Sequence, residues 1–303
     1  YQAGIWDWLT KNKDEIDFAY LNRPHIAIKY VDFIKKNTNI KVIYYGHDLH
    51  FLREYREYEL TGDIKKKRES DYWKSIEFSL MEKAAVSYYP SYVEEEAIHA
   101  IHPEYKIKAI TAYVYEKFLE NIDKDFAKRE GLLFVGGFAH PPNADAVLWF
   151  AKEIFPLIRQ RIDVNFYVVG SKVTDEIKAL EQPGSGIIVK GFVTEEELYS
   201  TSRIVVVPLR YGAGVKGKVV EAVYNGAAIV TTSIGSEGIP EADRVMKVAD
   251  GPEAFADEVV KMYQDPAECR RMCEETQKYI REYFSVEAAW KVIEEDFTPE
   301  KKR

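Results

Sequence analysis

The chain has 303 residues, 46% of them hydrophobic and 30% charged; this composition excludes a disordered or fibrous class and gives room for two domains, each with its own core. The formal net charge of −8 excludes nucleic acid as a general partner, because holding a phosphate backbone needs a basic surface, so any phosphate site must be local. No apolar run reaches the roughly 18 residues of a membrane-spanning helix, and Tyr1-Gln2-Ala3-Gly4-Ile5 lacks the basic-then-apolar pattern of a secretory signal.

Residues 1–128 read as an α/β unit. A strand at 18–22 leads into a helix started by Pro24, then into a strand at 41–45 that ends in Gly46-His47-Asp48. The charge-rich stretch 52–83, with Arg53, Glu54, Arg56, Glu57, Glu59 and Lys65-Lys66-Lys67-Arg68, predicts a solvated helical hairpin. Short strands follow at 85–90 and 107–113. A complete doubly wound domain carries further strands before the one at 18–22, and the chain does not start with Met. We therefore expect a shortened first domain in a segment of a longer polypeptide.

From Gly131 strand and helix alternate with little interruption, the pattern of a parallel sheet with crossover helices. A strand at 132–135 precedes a helix at 143–161, started by Pro141-Pro142 and capped by Asn143, with Val147, Phe150, Ile154 and Leu157 at helical spacing. Next come a strand at 165–170, a short helix from Asp175, a strand at 187–192 and a helix opened by the capping box Thr194-Glu195-Glu196-Glu197. The almost wholly apolar strand 204–209 suits a central position covered on both faces. A helix at 215–225, stopped by Gly226, and strands at 228–232 and 244–248 complete a doubly wound Rossmann-type domain over 129–284. A long amphipathic helix spans 266–284, and a last one, 286–297, enters through Ser285. Cys269 and Cys273, four apart on the long helix, match no zinc spacing; they read as small buried hydrophobes in a reduced, intracellular chain.

The most informative segment is Pro208-Leu209-Arg210-Tyr211-Gly212-Ala213-Gly214-Val215-Lys216-Gly217-Lys218-Val219-Val220-Glu221-Ala222, which runs from the carboxyl end of a buried strand through a glycine-rich turn into a helix. Ligands of open α/β sheets bind at that edge, and a helix start attracts anions. Lys216 and Lys218 sharpen the reading: cations in a first helical turn oppose its dipole by a few tenths of a kcal/mol each, up to ~1, and an anion reverses that penalty. Two solvated lysines beside a flexible loop are the alternative. Glu221, flanked by Val219, Val220 and Val223, is placed to accept two ribose hydroxyls, against the alternative of an ordinary surface carboxylate. Gly136-Gly137-Phe138-Ala139-His140 lacks the G-x-G-x-x-G spacing, which argues against an NAD-type oxidoreductase.

Phe134-Val135-Gly136-Gly137-Phe138-Ala139-His140-Pro141-Pro142-Asn143-Ala144-Asp145-Ala146, the Arg210 to Ala222 segment and Thr231-Thr232-Ser233-Ile234-Gly235-Ser236-Glu237-Gly238-Ile239 together resemble glycosyltransferase family 4, whose members are retaining, metal-independent GT-B enzymes using nucleotide sugars. The resemblance covers about 130–297 well and 18–118 more loosely. It implies two Rossmann-like domains with a cleft between them, an incomplete acceptor-side domain at 1–128, a donor domain at 129–284 and a terminal helix at 285–303 crossing back. It also implies transfer from a nucleoside diphosphate sugar to a saccharide or lipid-linked acceptor hydroxyl, with no cofactor and no metal. The setting would be glycan or polysaccharide biosynthesis, in the cytoplasm or at the inner membrane face. A binding module without turnover is the rival. Gly137, His140, Arg210, Gly212, Gly214, Val215, Lys216, Lys218 and Glu221 would hold the donor. Glu221 matches the second acid of the family's E-x7-E motif; the first falls on Ala213. The basic residue that many members place after the domain's first strand is also missing, so Lys216 and Lys218, with Arg210, must supply the diphosphate charge. In Tyr45-Gly46-His47-Asp48-Leu49-His50, His47 or His50 resembles the family's active-site histidine and Asp48 would orient it. A metal pair or a purely structural role stays open for these histidines, as a turn role does for His140.

Overall fold

We describe the chain from a computed structural model that covers residues 2–191, 193 and 195–297. It divides into two units, Tyr1–Val114 with Val286–Arg303, and Tyr115–Ser285.

In the first unit, helix α1 (Gln2–Asn12) precedes a parallel sheet of β1 (Phe18–Asn22), β2 (Lys41–Tyr45), β3 (Val86–Tyr89) and β4 (Ile107–Ala109), laid side by side in sequence order. The crossovers are α2 (Pro24–Ala27) and α3 (Val31–Asn37), then the hairpin α4 (His50–Thr61) and α5 (Ile64–Lys83), then α6 (Tyr92–His99), which lay outside the predicted elements. The two-residue period of the strands sorts their apolar side chains. Val42, Tyr44 and Tyr89 pack with Ala27, Val31, Ile34, Leu80 and Met81 on one face, while Ile43, Tyr45, Val86 and Tyr88 meet Val292, Ile293 and Phe297 on the other. Gly62 closes α4 in the left-handed region, at φ 71°, and Asp63 caps α5 by accepting from the Lys65 N–H at 2.9 Å.

The hairpin 52–83 is not simply solvated: Glu54, Ser70 and Glu77 are buried. Their polarity hides an inward face, because each carboxylate finds local donors; Glu54 pairs with Arg53 and with Lys66. A further buried carboxylate ties down the chain end beyond the helix Val286–Ile293. Asp296, 1% exposed, accepts from the Tyr88 hydroxyl (2.6 Å), Lys106 (2.5 Å) and Lys108 (2.6 Å), and its carbonyl accepts from Lys41 at 3.0 Å.

The second unit starts at Tyr115 rather than near 129. Residues 115–128 lack periodicity, which is why the sequence reading left them with the first domain. They pack here through the buried Phe126, the Tyr115–Tyr224 ring stack at 4.2 Å and the Tyr115 N–H donating to Phe284 O at 2.8 Å. Its parallel sheet contains β5 (Leu132–Val135), β6 (Phe166–Val169), β7 (Ile187–Gly191), β8 (Ile204–Val207), β9 (Ile229–Thr231) and β10 (Lys247–Val248) in the order β10-β9-β8-β5-β6-β7. That is the doubly wound order, in which winding reverses between β5 and β8.

The predicted helix 143–161 is three pieces: α7 (Pro141–Trp149), a π turn (Phe150–Ile154) and α8 (Phe155–Arg159). Pro156 explains the break, since its ring lacks an N–H and crowds the preceding carbonyls, and widening by one residue relieves both. The remaining helices are α9 (Asp175–Lys178), α10 (Glu195–Thr201), α11 (Gly217–Tyr224), α12 (Ser233–Ser236), α13 (Pro252–Tyr263) and α14 (Pro266–Tyr283); α13 lay outside the predicted elements. Phe192 and Thr194, which ended a predicted strand and opened the predicted capping box, lie outside the described residues. The predicted strand 244–248 shrinks to β10, because Ala242–Arg244 forms a 3-10 turn in which Arg244 pairs with Glu241, Glu275 and Glu282. Cys269 and Cys273 are buried and unbridged on α14.

Candidate functional site

Where winding reverses, the connections from β5 and β8 turn to opposite faces of the sheet and leave a crevice at its carboxyl edge. The β5 connection begins at Gly136, where a Cβ would meet Lys218 Nζ at 2.8 Å and Asn143 Nδ2 at 3.0 Å, so only glycine lets the ammonium approach this closely. Asn143 is not the cap of α7; that position belongs to His140, exposed and without a side-chain cap bond. Asn143 instead bridges two loops: its amide donates to Gly137 O at 2.8 Å, and its oxygen accepts from Lys218 Nζ.

Lys218 Nζ stands 4.5 Å above the Phe134 ring and makes no ion pair with a carboxylate among the described residues. Burial without a counter-charge pulls its pKa down to about 7. Lys216, expected inside the helix, is the N-cap of α11 in an extended conformation. Its side chain is 8% exposed, with Nζ donating to Gly214 O at 2.6 Å and lying 3.4 Å from Glu237 Oε1. Gly212 (φ 144°) and Gly214 (φ 73°) shape the preceding turn, with Val215 partly buried beside it. Arg210 is paired with Asp145 through both carboxylate oxygens, one bond at 2.9 Å, and lies 5.6 Å from the Trp149 ring. Glu221 is half-buried one turn into α11, between the buried Val220 and Ala222.

The edge thus gathers Gly137, Gly214, Lys216 and Lys218, while Arg210 is bound to Asp145. Sequence reading missed Asn143 as a bridge, and Asp145 and Glu237 as partners of the cations. Two polar residues in the quoted stretch Pro141 to Ala146 and one on the turn after β9 were the available signal.

In the first unit, His47, Asp48 and His50 follow β2. His47 Nε2 lies 2.6 Å from Asn22 Oδ1, and the ring lines a cavity of about 470 Å³ with Tyr20, Tyr45 and Tyr113. Burial and the Arg23 charge hold its pKa below the usual histidine value. His50 is placed differently. As first residue of α4 its N–H donates to Glu77 Oε1 at 3.0 Å, and its Nδ1 lies 3.2 Å from Asp48 Oδ1 and 3.4 Å from Glu77 Oε1. Burial would lower its pKa, but the Glu77 hydrogen bond and the Asp48 charge outweigh it and raise the value. Asp48 also pairs with Arg53. The histidines therefore separate: His47 faces a cavity, and His50 belongs to a buried carboxylate network. Among the described residues no cluster of three His, Cys, Asp or Glu has metal-ligand geometry, and no helix is long and apolar enough to cross a membrane.

Comparison with known proteins gives three findings. Residues 129–265 match the family model described as glycosyl transferases group 1. An uncharacterized 44.6 kDa protein in the cps region of Klebsiella pneumoniae is 30% identical over 142 residues, covering 44% of this chain and 34% of that protein, so the match spans about a third of the relative's length. Among solved structures, sucrose-phosphate synthase from Thermosynechococcus elongatus is similar at TM-score 0.71 and 16% identity, over 93% of this chain and 73% of that one. Anabaena HepE in complex with UDP is similar at TM-score 0.70 and 13% identity, over 96% and 81%. The match to group 1 glycosyl transferases is thus confined to residues 129–265, within a chain built on the GT-B fold of two Rossmann-like units.

Proposed function

We propose that the chain is a retaining glycosyltransferase of family 4, moving a sugar from a nucleoside diphosphate sugar to a saccharide or lipid-linked acceptor hydroxyl without a metal or other cofactor. The observation that carries this reading is the switch-point edge of the group 1 domain, where a glycine turn brings Lys216 to the start of α11 and Lys218 into its first turn. Two ammonium groups and a helix start would stabilise the leaving diphosphate electrostatically, in place of a metal. The HepE structures with UDP and with UDP-glucose, and that of a pneumococcal O-GlcNAc transferase with UDP and GlcNAc, support the ligand class. The cps-region relative supports a place in polysaccharide biosynthesis, which we assign to the cytoplasm or the inner membrane face. His47, lining its cavity, is the residue we assign to the acceptor side.

Thermal unfolding against UDP, GDP, ADP and dTDP tests the binding step, since a ligand of the folded state raises the transition by mass action. A transition that none of the four shifts would overturn the reading. Ala213 favours a second reading, a nucleotide-sugar-binding module without turnover; release of nucleoside diphosphate from the sugar nucleotide separates the two.

A further inference from the structure

The carboxylate of Glu237 stands where a diphosphate-binding edge has least use for one. It projects from the turn after β9, the strand beside β8, so it leaves the same edge of the sheet as the glycine turn. Its side chain is 11% exposed and in ion-pair range of Lys216 at 3.4 Å. The turn is built to hold it there. Thr232 Oγ1 donates to Leu209 O at 2.5 Å and accepts from the Gly235 N–H at 3.2 Å, locking this turn to the one after β8. Gly235 admits no side chain, because a Cβ would run into Thr231 Oγ1 and stand 3.0 Å from Val207 O.

An anion beside a phosphate repels it, so a fixed carboxylate at this distance needs another partner when the ligand is bound. The sugar of a nucleotide sugar supplies that partner, since it joins the diphosphate directly and presents only hydroxyl donors to a neighbouring acid. The glycine turn itself offers a methyl group, Ala213, three residues before Lys216. We propose that Glu237 is the residue by which this site recognises the donor's sugar: its carboxylate accepts sugar hydroxyls once Lys216 turns to the diphosphate. This rests on the reading of the edge as a nucleotide-sugar site.

The test compares UDP, GDP, ADP and dTDP, each alone and as its glucose adduct, on the parent chain and on Glu237→Gln. For the pair the parent binds best, the preference for the glucose adduct over the bare nucleotide should fall about tenfold in the variant, because charge-assisted hydroxyl bonds become ordinary ones. Binding of the bare nucleotide should hold or tighten as a repelling charge is removed. Glu237→Asp, which keeps the charge but withdraws it, should lose the same preference with an unchanged unfolding temperature. If both ligands weaken equally in both variants, or if the preference survives, Glu237 serves the fold or Lys216 alone and the proposal fails. If no nucleotide binds the parent, the reading of the edge fails first and takes this inference with it.

Discussion

At the carboxyl edge of the first sheet, Glu77 is sealed from solvent, yet both its oxygens are occupied, Oε1 by the His50 N–H at 3.0 Å and Oε2 by the Phe51 N–H at 3.2 Å. At the edge of the second sheet, Lys218 is half-buried, with its ammonium over a ring and bonded to one neutral amide oxygen. A buried charge persists when hydrogen bonds and counter-charges replace its water, as they do around Asp296, whereas at Glu77 burial outweighs them and lifts the carboxyl's pKa. A cation left with so little compensation is held in an unfavourable state that an anionic ligand would correct. The contrast separates charges that serve the fold from charges kept for a ligand, and substitutions can break it from either side.

The largest effect should come from the second unit. Replacing Lys216 and Lys218 with Ala removes two charge-assisted bonds of ~1.5–3 kcal/mol each, so nucleoside diphosphate affinity should drop ~100-fold or more while nucleoside affinity changes little. The Lys216 change should lower stability, because its buried ammonium pairs with Glu237, so the two ligands are compared on folded protein. Equal losses for the two ligands, measured by calorimetry, would show that the lysines do not touch phosphate. The first unit should behave oppositely. Asp296→Ala strands two lysines and the Tyr88 hydroxyl, and should cost about 3 kcal/mol in urea unfolding with nucleotide affinity unchanged. Burial alone would raise the Asp296 pKa, but Lys106, Lys108 and Tyr88 hold it down at about 2. The unfolded chain protonates near ~3.9, so this stabilisation is present above that value and lost as pH falls towards about 2. A parent chain and variant with equal acid sensitivity would contradict this.

Much of this contrast was legible in the amino-acid pattern, and what was not has physical reasons. The strands Leu132–Val135 and Ile204–Val207 announce themselves because both faces are covered, leaving continuous apolar runs. The glycine turn before α11 was legible from its spacing, but Lys216 caps the helix from outside and only Lys218 stands in its first turn. The burial of Glu54, Glu77 and Asp296 was illegible, since a carboxylate looks the same in sequence whether its donors are water or a folded network. Asn143 misled for a related reason: an Asn after two prolines is a good cap by local propensity, but the long-range partners Gly137 and Lys218 win.

A smaller effect tests the ribose side of the same edge. Glu221→Gln keeps the shape of a half-buried side chain and weakens its hydroxyl bonds, so nucleotide binding should fall by roughly tenfold with the fold intact. The variant should also stop discriminating between ribo and 2′,3′-dideoxy nucleotides. A ribose preference as strong as the parent's would remove Glu221 from the site.

The smallest effect probes the strain on Lys218 directly. A lysine in an unfolded chain holds its proton to about 10.4, whereas burial in the fold brings Lys218 down to about 7. Between those values the unfolded chain binds more protons, so stability rises with pH across that window, and the penalty of burying the ammonium is fully present below about 7. A bound diphosphate favours the ammonium form, so binding at pH 8 must take up a proton. From pH 7 to pH 8 the protonated fraction of the free protein falls from about one half to about one tenth, and affinity should weaken roughly fivefold. Calorimetry in two buffers of different ionisation enthalpy reads the proton directly. Lys218→Arg keeps a charge that does not titrate in this range and should flatten the profile, while the terminal phosphate's own titration near pH ~6 is common to both proteins and cancels. If parent and variant share one slope, Lys218 is already fully charged without ligand, and the contrast between the two edges rests on geometry alone.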